Sequence, residues 1–267
     1  MSKPNSSKGN KSDMLVSSLA IPIAFVVAIL IYVFILGAPG NFEDNDPANH
    51  PINTLGTVHK GGVIVPILIT VLLVILFFSI ERFVTISRAK GKGNVQSFIL
   101  GLREMVNTGQ LDKAMAECDR QRGSVAAVLK SGLVRYKQVE SDNSMDKESK
   151  IVAIQKDLEE ATTLELPMLS KNLVIISTCA SIATLLGLIG TVIGMIRSFA
   201  AMSQAGAPDA TALATGISEA LINTFLGITG SAIAIVAYNY FSSKIDSLTY
   251  SIDEAGYSLV QTFSAKH

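Results

Sequence analysis

Long apolar segments alternate along the chain with polar segments that hold most of the charged residues. A helix needs about 20 mainly apolar residues to cross the hydrocarbon core of a bilayer. Four segments suit that length, and we predict a transmembrane helix in each: residues 15–36, 62–80, 171–200 and 212–243. The first exceeds the apolar core of a signal peptide, which is roughly 7 to 15 residues, so we expect a retained membrane helix.

Between the second and third apolar segments, residues 81–170 have the pattern of amphipathic helices, with apolar residues recurring three or four positions apart. Gly109, Gly123 and the polar run 140–144 mark breaks between these helices. The apolar faces need partners to pack against, so we predict a helical domain rather than a linker. Its last helix leads into the third transmembrane helix, with a kink at Pro167. The apolar positions are Phe98, Leu102, Met105 and Val106, then Val125, Val128, Leu129 and Leu133, then Ile151, Ile154, Leu158 and Leu164.

The distribution of Lys and Arg predicts the orientation in the membrane, because cytoplasmic segments carry an excess of both. Basic residues flank three segments, which we predict to be cytoplasmic: the tail 1–14, the domain 81–170 and a C-terminal helix 244–267. The loop 37–61 and the turn 201–211 are predicted to be periplasmic. The basic residues are Lys3, Lys8, Lys11, Arg82, Arg88, Lys90, Lys92 and Lys244, and the loop acids are Glu43, Asp44, Asp46 and Asp209.

The composition supports an all-α membrane protein and argues against an enzyme. Hydrophobic residues make up 49% of the chain, charged residues 16%, and the mean hydropathy is +0.42. No phosphate-binding loop, zinc-protease motif or paired-cysteine motif occurs, and the three histidines lie in the outer loop or at the chain end: His50, His59 and His267. We expect no catalytic residue, cofactor, metal or nucleic-acid partner. Cys118 and Cys179 fall in different segments, so no disulfide is expected.

Hydroxyl side chains recur at seven-residue intervals, two helical turns, through the third and fourth apolar segments. The third has Ser177, Thr184, Thr191 and Ser198, and the fourth has Thr224 and Ser231. A helix that faces lipid on all sides would not need such a line, so these residues predict a polar pore lining. The alternative is helix packing, since small residues let membrane helices approach closely. The glycines suited to that role are Gly187, Gly190, Gly194 and Gly227.

Glu219 is an acid within the fourth apolar segment, where a charged group costs a few kcal/mol and normally has a partner or a function. Arg197, toward the outer end of the third segment, is one candidate partner. The sequence leaves two interpretations open: Glu219 lines a hydrated ion path, or it forms a structural ion pair with Arg197.

Two motifs in these segments resemble the ExbB/TolQ/MotA proton-channel family, and its ExbB and TolQ branch in particular. They are Leu-Leu-Gly-Leu-Ile-Gly-Thr-Val-Ile-Gly-Met at 185–195 and Gly-Ile-Ser-Glu-Ala-Leu-x-x-Thr-x-x-Gly-Ile at 216–228. The resemblance covers 170–245 in detail and 62–245 in layout. Thr191 and Thr224 match the pore threonines of the family, and Glu219 matches its membrane glutamate.

The resemblance implies an inner-membrane stator subunit. Such subunits form a pentamer around the single helices of an ExbD-like or TolR-like dimer, whose aspartate carries the proton. Proton flow then drives work on a TonB-like or TolA-like periplasmic protein, as in outer-membrane transport. A TolQ-like role in the envelope or in gliding is the alternative, and Na⁺ could replace H⁺ as the translocated ion.

The chain departs from the family in two places. Thr184 stands where many relatives have proline, and the helix 15–36 is extra to the three-helix ExbB plan. That helix either packs against lipid outside the ring or contacts a partner specific to this system. Two functions outside the stator class also remain open. A self-sufficient channel would use Glu219 as its titrating group, and a structural scaffold would tolerate alanine at Thr191 and Thr224.

Overall fold

The computed structural model describes residues 7–142, 144–204 and 210–266. No β-strand occurs within these ranges, and the prediction of an all-α protein is confirmed. The α-helices found there are α1 Ser7–Leu30, α2 Thr54–His59, α3 Ile64–Ala89, α4 Val95–Asn107, α5 Leu111–Gln121, α6 Gly123–Glu140, α7 Lys147–Ser170, α8 Leu173–Gln204 and α9 Ala210–Lys266. A π-helical stretch, Ile31–Leu36, continues α1.

Four helical stretches of the described chain are long and apolar enough to cross a membrane, as predicted: Leu19–Leu36, Ile64–Ala89, Lys147–Ala200 and Leu213–Ala265. The segments predicted separately as 212–243 and 244–267 lie in one continuous helix, α9. No proline interrupts this helix, and a charged residue such as Lys244 is compatible with helical backbone. Lys3, Asp209 and His267 lie outside the described residues, as do residues 205–209 of the predicted turn 201–211.

The described residues divide into two compact units. The first unit comprises Met1–Ser79 and Ile175–Tyr238, and the second comprises Ile80–Val174 and Asn239–His267. Helices α3, α8 and α9 contribute residues to both. Cys118 and Cys179 are free and buried, one in each unit, in agreement with the expectation of no disulfide.

The second unit has a conventional apolar core. The amphipathic helices predicted from the sequence correspond to α4, α6 and α7, and they pack with α5 and the last part of α9. Gly109 lies two residues after the end of α4 and Gly123 begins α6, both with positive φ, at two of the predicted breaks. Tyr136 and Phe263 meet edge to face with ring centroids 4.7 Å apart. The exception is Leu164, which is 69% exposed and does not extend the buried face of α7. Residues buried to 2% exposure or less include Val106, Val128, Leu129, Leu133, Tyr136, Ile154, Ile252 and Phe263.

The chain breaks between α7 and α8 at Lys171 and Asn172. Pro167 lies within α7, whereas Asn172 has φ 65°, in the left-handed region. Arg82 is buried and donates to the carbonyl oxygens of Met168 and Leu169 at 3.3 and 3.1 Å. These carbonyls belong to the last turn of α7 and lack helical partners. The guanidinium, which also pairs with Glu81, therefore caps α7 and stabilises the break.

The extra helix α1 belongs to the first unit, and from Leu19 to Leu30 it buries a narrow line of small residues. Ala20, Ala24 and Ala28 are buried at four-residue spacing, which places them on one face. Large apolar residues on the other faces of this part are exposed, for example Ile23 at 57% and Val26 at 56%. From Leu19 to Leu30 the helix is therefore apolar on nearly its whole exposed circumference, as expected for contact with lipid.

Candidate functional site

Helices α8 and α9 meet along a seam of small residues within the first unit, which we call the small-residue seam. On α8 it comprises Ala183, Gly187, Gly190, Gly194 and Ser198, and on α9 Gly216, Ala220, Asn223 and Gly227. As residue numbers rise along α8, the facing numbers fall along α9, so the helices are antiparallel. The seam residues are three or four positions apart, which keeps them on one face of each helix. All four glycines proposed for helix packing lie in this seam.

The glycines of the seam leave no room for a side chain. A Cβ added at Gly227 would lie 2.6 Å from the carbonyl oxygen of Ala183 and 2.8 Å from Cα of Gly187. A Cβ added at Gly194 would lie 2.9 Å from the carbonyl oxygen of Gly216. These neighbours are backbone atoms, which cannot rotate away. The close approach of the two helices therefore depends on glycine.

The structure brings together Thr191 and Thr224, the two residues that the sequence singled out for the pore. Their hydroxyl oxygens are in direct hydrogen-bond contact across the seam. Thr191 Oγ1 also lies 3.1 Å from the carbonyl oxygen of Gly187 and 3.4 Å from that of Ala220. Both side chains are half-buried. The pair is thus a small polar patch of hydroxyls and carbonyls, with no fixed charge, at the edge of the seam.

The remaining predicted hydroxyls are distributed over two environments. Ser177, Thr184 and Ser231 line an open groove of about 300 Å³, together with Ser181 and Tyr238. Ser198 is buried in the seam instead, where it donates to the carbonyl oxygen of Gly194 at 3.0 Å. The predicted seven-residue line therefore passes from an open groove, through the threonine pair, into a packed contact.

Glu219 pairs with Arg197, one of the two alternatives that the sequence left open. Arg197 Nη1 lies 2.8 Å from Glu219 Oε1, and the side chains are 55% and 14% exposed. Gly62, at the turn before α3, lies directly against this carboxylate, since a Cβ built there would meet Glu219. Among the described residues, Glu219 contacts this arginine rather than either pore threonine.

Asn223 is a polar residue of the seam that sequence reasoning did not select. Its side chain is completely buried against Gly190, and Nδ2 donates to the carbonyl oxygen of Gly61 at 2.9 Å. Oδ1 has no hydrogen-bond partner among the described residues. An amide in the middle of an apolar segment was the available signal. Its partner is 162 residues away, which no local pattern could reveal.

Gly61 belongs to the predicted outer loop, where aromatic rings organise the chain ahead of α3. The rings of Tyr32 and His59 stack with centroids 4.4 Å apart, and Tyr32 donates its hydroxyl to the carbonyl oxygen of His59 at 3.1 Å. Burial lowers the pKa of His59 below its ordinary value. The imidazole is therefore neutral at neutral pH and serves as a packing group of the loop.

Comparison with known proteins places the chain in a family. Residues 121–254, half of the chain, match the MotA/TolQ/ExbB proton channel family. The biopolymer transport protein ExbB-like 3 of Synechocystis sp. is 39% identical over 88 residues, which are 32% of this chain and 42% of the relative. TolQ of the Tol-Pal system of Pseudomonas aeruginosa is 27% identical over 136 residues, which are 48% of this chain and 59% of the relative.

A longer match extends over both units. TolQ of the Tol-Pal system of Haemophilus influenzae is 25% identical over 201 residues, which are 74% of this chain and 87% of the relative. The matches to the Synechocystis and Pseudomonas proteins span about half the length of those relatives. The matched region 121–254 contains α8 and overlaps α9, the two helices of the seam. With its four candidate spans, the chain is a multi-pass inner-membrane protein that belongs to the MotA/TolQ/ExbB proton channel family, in its ExbB and TolQ branch.

Proposed function

We propose that this protein is an ExbB-like stator subunit, which converts the proton motive force into mechanical work through a proton path at Thr191 and Thr224. The observation that carries the proposal is the direct contact of these two hydroxyls across the small-residue seam. A hydroxyl both donates and accepts hydrogen bonds, so the pair can hold water or a carboxyl group without a fixed charge that would trap the ion.

The path needs a titrating group that this chain does not supply. Between residues 175 and 238 the sequence contains three charged residues, Arg197, Asp209 and Glu219. Glu219 is tied to Arg197, and Asp209 belongs to the predicted outer turn. The proton carrier is therefore a carboxyl group of a partner helix, such as the aspartate of an ExbD-like or TolR-like protein. A self-sufficient channel is disfavoured, because its candidate group, Glu219, is held in an ion pair.

The assembly that follows from this path is a homo-oligomer, a pentamer as in the family, around the helices of the partner dimer. The termini and the second unit are cytoplasmic, and the ion is H⁺ rather than Na⁺. The work is passed to a TonB-like protein for outer-membrane transport, with a TolA-like protein as the alternative. Relatives named ExbB and relatives named TolQ both match this chain, so identification of the co-purifying partners distinguishes these two roles.

Proton flux into liposomes tests the path. The full-length protein is reconstituted alone and with its one-helix aspartate partner, each as wild type and as Thr224→Val, which keeps the shape but removes the hydroxyl. We expect flux only with the partner, and a fall to background in Thr224→Val. Thr178→Val on the exposed face of α8 is the matched control and should conduct normally. Normal flux in both Thr191→Val and Thr224→Val would refute the site, and flux without the partner would indicate a self-sufficient channel.

The Glu219–Arg197 pair is tested separately by assembly. Glu219→Gln keeps the shape and a hydrogen bond to Arg197, whereas Glu219→Ala removes both. For a structural pair we expect Glu219→Gln to assemble and conduct, Glu219→Ala to assemble poorly, and the charge swap Arg197→Glu with Glu219→Arg to restore assembly. Loss of flux in a fully assembled Glu219→Gln protein would instead assign Glu219 to the ion path.

A further inference from the structure

A second cleft lies in the second unit, apart from the proton path. It is a groove of about 380 Å³ between the end of α3, the start of α4 and the part of α9 that follows the apolar segment. We call it the basic groove. It is lined by Phe83, Ile86, Ser87, Lys90, Asn94, Val95, Gln96, Tyr240, Phe241, Lys244, Ser247, Leu248 and Ser251.

The floor of the basic groove is apolar, and its rim is aromatic and basic. Ile86, Val95 and Phe241 are buried at its base. Phe83 and Tyr240 remain 55% and 49% exposed. An apolar floor beneath exposed aromatic rings suits the upper part of an acyl chain, since such rings prefer the level of the lipid headgroups.

The charge of the basic groove has one sign. Lys90 comes from the end of α3 and Lys244 from α9, and no acidic residue is among the described residues that line the groove. Neither lysine forms an ion pair with a described carboxylate. Lys244 Nζ lies 5.6 Å from the centroid of the Tyr240 ring, which positions the ammonium group at the rim. Two ammonium groups and the hydroxyls of Ser87 and Ser247 form a set of donors suited to a phosphate.

The lining residues also occur where two membrane spans change from apolar to polar sequence. The apolar stretch of α3 ends at Ile80, just before Glu81, and the apolar stretch of α9 ends at Phe241, just before Lys244. Lipid headgroups lie at this transition, and basic pockets between transmembrane helices on the cytoplasmic side bind anionic headgroups.

We propose that the basic groove binds an anionic glycerophospholipid, with its phosphodiester between Lys90 and Lys244 and the start of an acyl chain against Phe83 and Tyr240. The site is independent of the threonine pair and does not rest on the proposed proton path. The lipid accounts for the charge, the apolar floor and the position at the end of the spans together. Free phosphate would use only the donors, and a second copy of the chain would not need two lysines.

The absence of tryptophan from the sequence gives a clean reporter. The full-length protein carrying Phe83→Trp is placed in phosphatidylcholine vesicles with increasing fractions of phosphatidylglycerol or phosphatidylcholine, brominated near the headgroup end of the chain. Bromine quenches tryptophan at short range. Phe77→Trp, on the same helix but outside the lining, reports collisions with bulk lipid.

We expect brominated phosphatidylglycerol to quench Trp at position 83 at a much lower fraction than brominated phosphatidylcholine, and both lipids to quench Trp at position 77 equally. Lys90→Gln and Lys244→Gln should each weaken this preference about fivefold and together about 30-fold, as expected for two lysines near a headgroup. The matched control is Lys92→Gln with Lys156→Gln, two exposed lysines that do not line the groove, and it should leave the preference unchanged.

Four outcomes would overturn the proposal. Equal quenching by the two lipids at position 83 would show that charge is not recognised. No quenching by either lipid would show that another chain covers the groove. Loss of the preference on adding inorganic phosphate would assign the site to free phosphate. An equal loss in the control lysine variants would show a diffuse surface charge rather than a site.

Discussion

The small-residue seam of the first unit and the apolar core of the second unit are both helix contacts, but opposite kinds of residues build them. In the seam, glycine, alanine, serine and asparagine lie inside, whereas large residues such as Leu188 and Phe225 are 58% and 66% exposed. In the core, Leu133, Tyr136 and Phe263 are fully buried. Water drives large apolar side chains inward, but lipid does not, so membrane helices gain stability from close approach and hydrogen bonds.

Among substitutions that test this difference between the seam and the core, the largest effect is expected at Gly227. A methyl group there collides with backbone atoms of α8, so Gly227→Ala should separate the helices and displace Thr224 from Thr191. We expect proton flux in the presence of the partner to fall to background, with a lower midpoint of thermal unfolding. Gly230→Ala is the matched control, because its methyl group would meet only Cβ of Ala183 at an ordinary 3.5 Å. Wild-type flux in Gly227→Ala would contradict the dependence of the seam on glycine.

The second-largest effect is expected from Leu→Ala, a change that can be made both in the core of the second unit and beside the seam of the first. Leu133→Ala leaves a cavity in the core of the second unit and should lower the free energy of unfolding by about 2–5 kcal/mol. Leu188→Ala trims a side chain that is 58% exposed and should change it by about 0.5 kcal/mol or less. Denaturant unfolding of the two detergent-solubilised variants, followed by circular dichroism, measures the difference. Equal losses would show that the outer face of α8 packs against protein.

The same contrast explains which features the sequence could predict. The four spans, the glycines of the seam and Thr191 with Thr224 follow from apolar length and from repeats of three, four or seven residues, which are local properties. The buried faces of α4 and α6 follow from the same periodicity. Leu164 had a suitable spacing but lies on the exposed side of α7, because the position of the partner helix decides which face is covered.

The features that the sequence did not predict depend on partners distant in the chain. Arg82 served only as an indicator of orientation, yet it caps α7 through carbonyls 86 and 87 residues away. That cap stabilises the break between α7 and α8 at Asn172. The sequence left Glu219 between two roles, and only the contact with Arg197 in space favours one of them.

A smaller effect is expected inside the core of the second unit at Tyr136. Its hydroxyl is buried and has no hydrogen-bond partner among the described residues, which costs stability. Tyr136→Phe removes that hydroxyl and keeps the edge-to-face contact with Phe263, so the free energy of unfolding should rise by up to about 1 kcal/mol. Tyr250→Phe, at a position 67% exposed, is the control and should have no effect. A loss of stability in Tyr136→Phe would show that the hydroxyl is paired with a bound water.

The smallest effect at neutral pH concerns Cys118, also in the second unit. Burial, followed by the neighbouring Asp119 carboxylate, raises the pKa of this thiol from 9.0 to about 12. Between pH 9 and pH 12 the folded chain therefore keeps a proton that the unfolded chain loses. The contribution of the thiol to the free energy of unfolding is complete below about pH 9 and declines as the pH rises toward 12. Cys118→Ala should lower the free energy of unfolding by a constant amount near neutral pH. Above pH 9 the free energy of unfolding of the variant should decline less steeply with pH than that of the wild type. The comparison is sharpest between about pH 8 and pH 10, because burial also raises the pKa of Tyr136 from 10.0 to about 12, and its share of the decline begins only above that range. Equal slopes of unfolding free energy against pH in the variant and the wild type would show that the Cys118 thiol reaches water in the folded chain. The core of the second unit would then be as accessible to solvent at this position as the exposed faces of the first unit are.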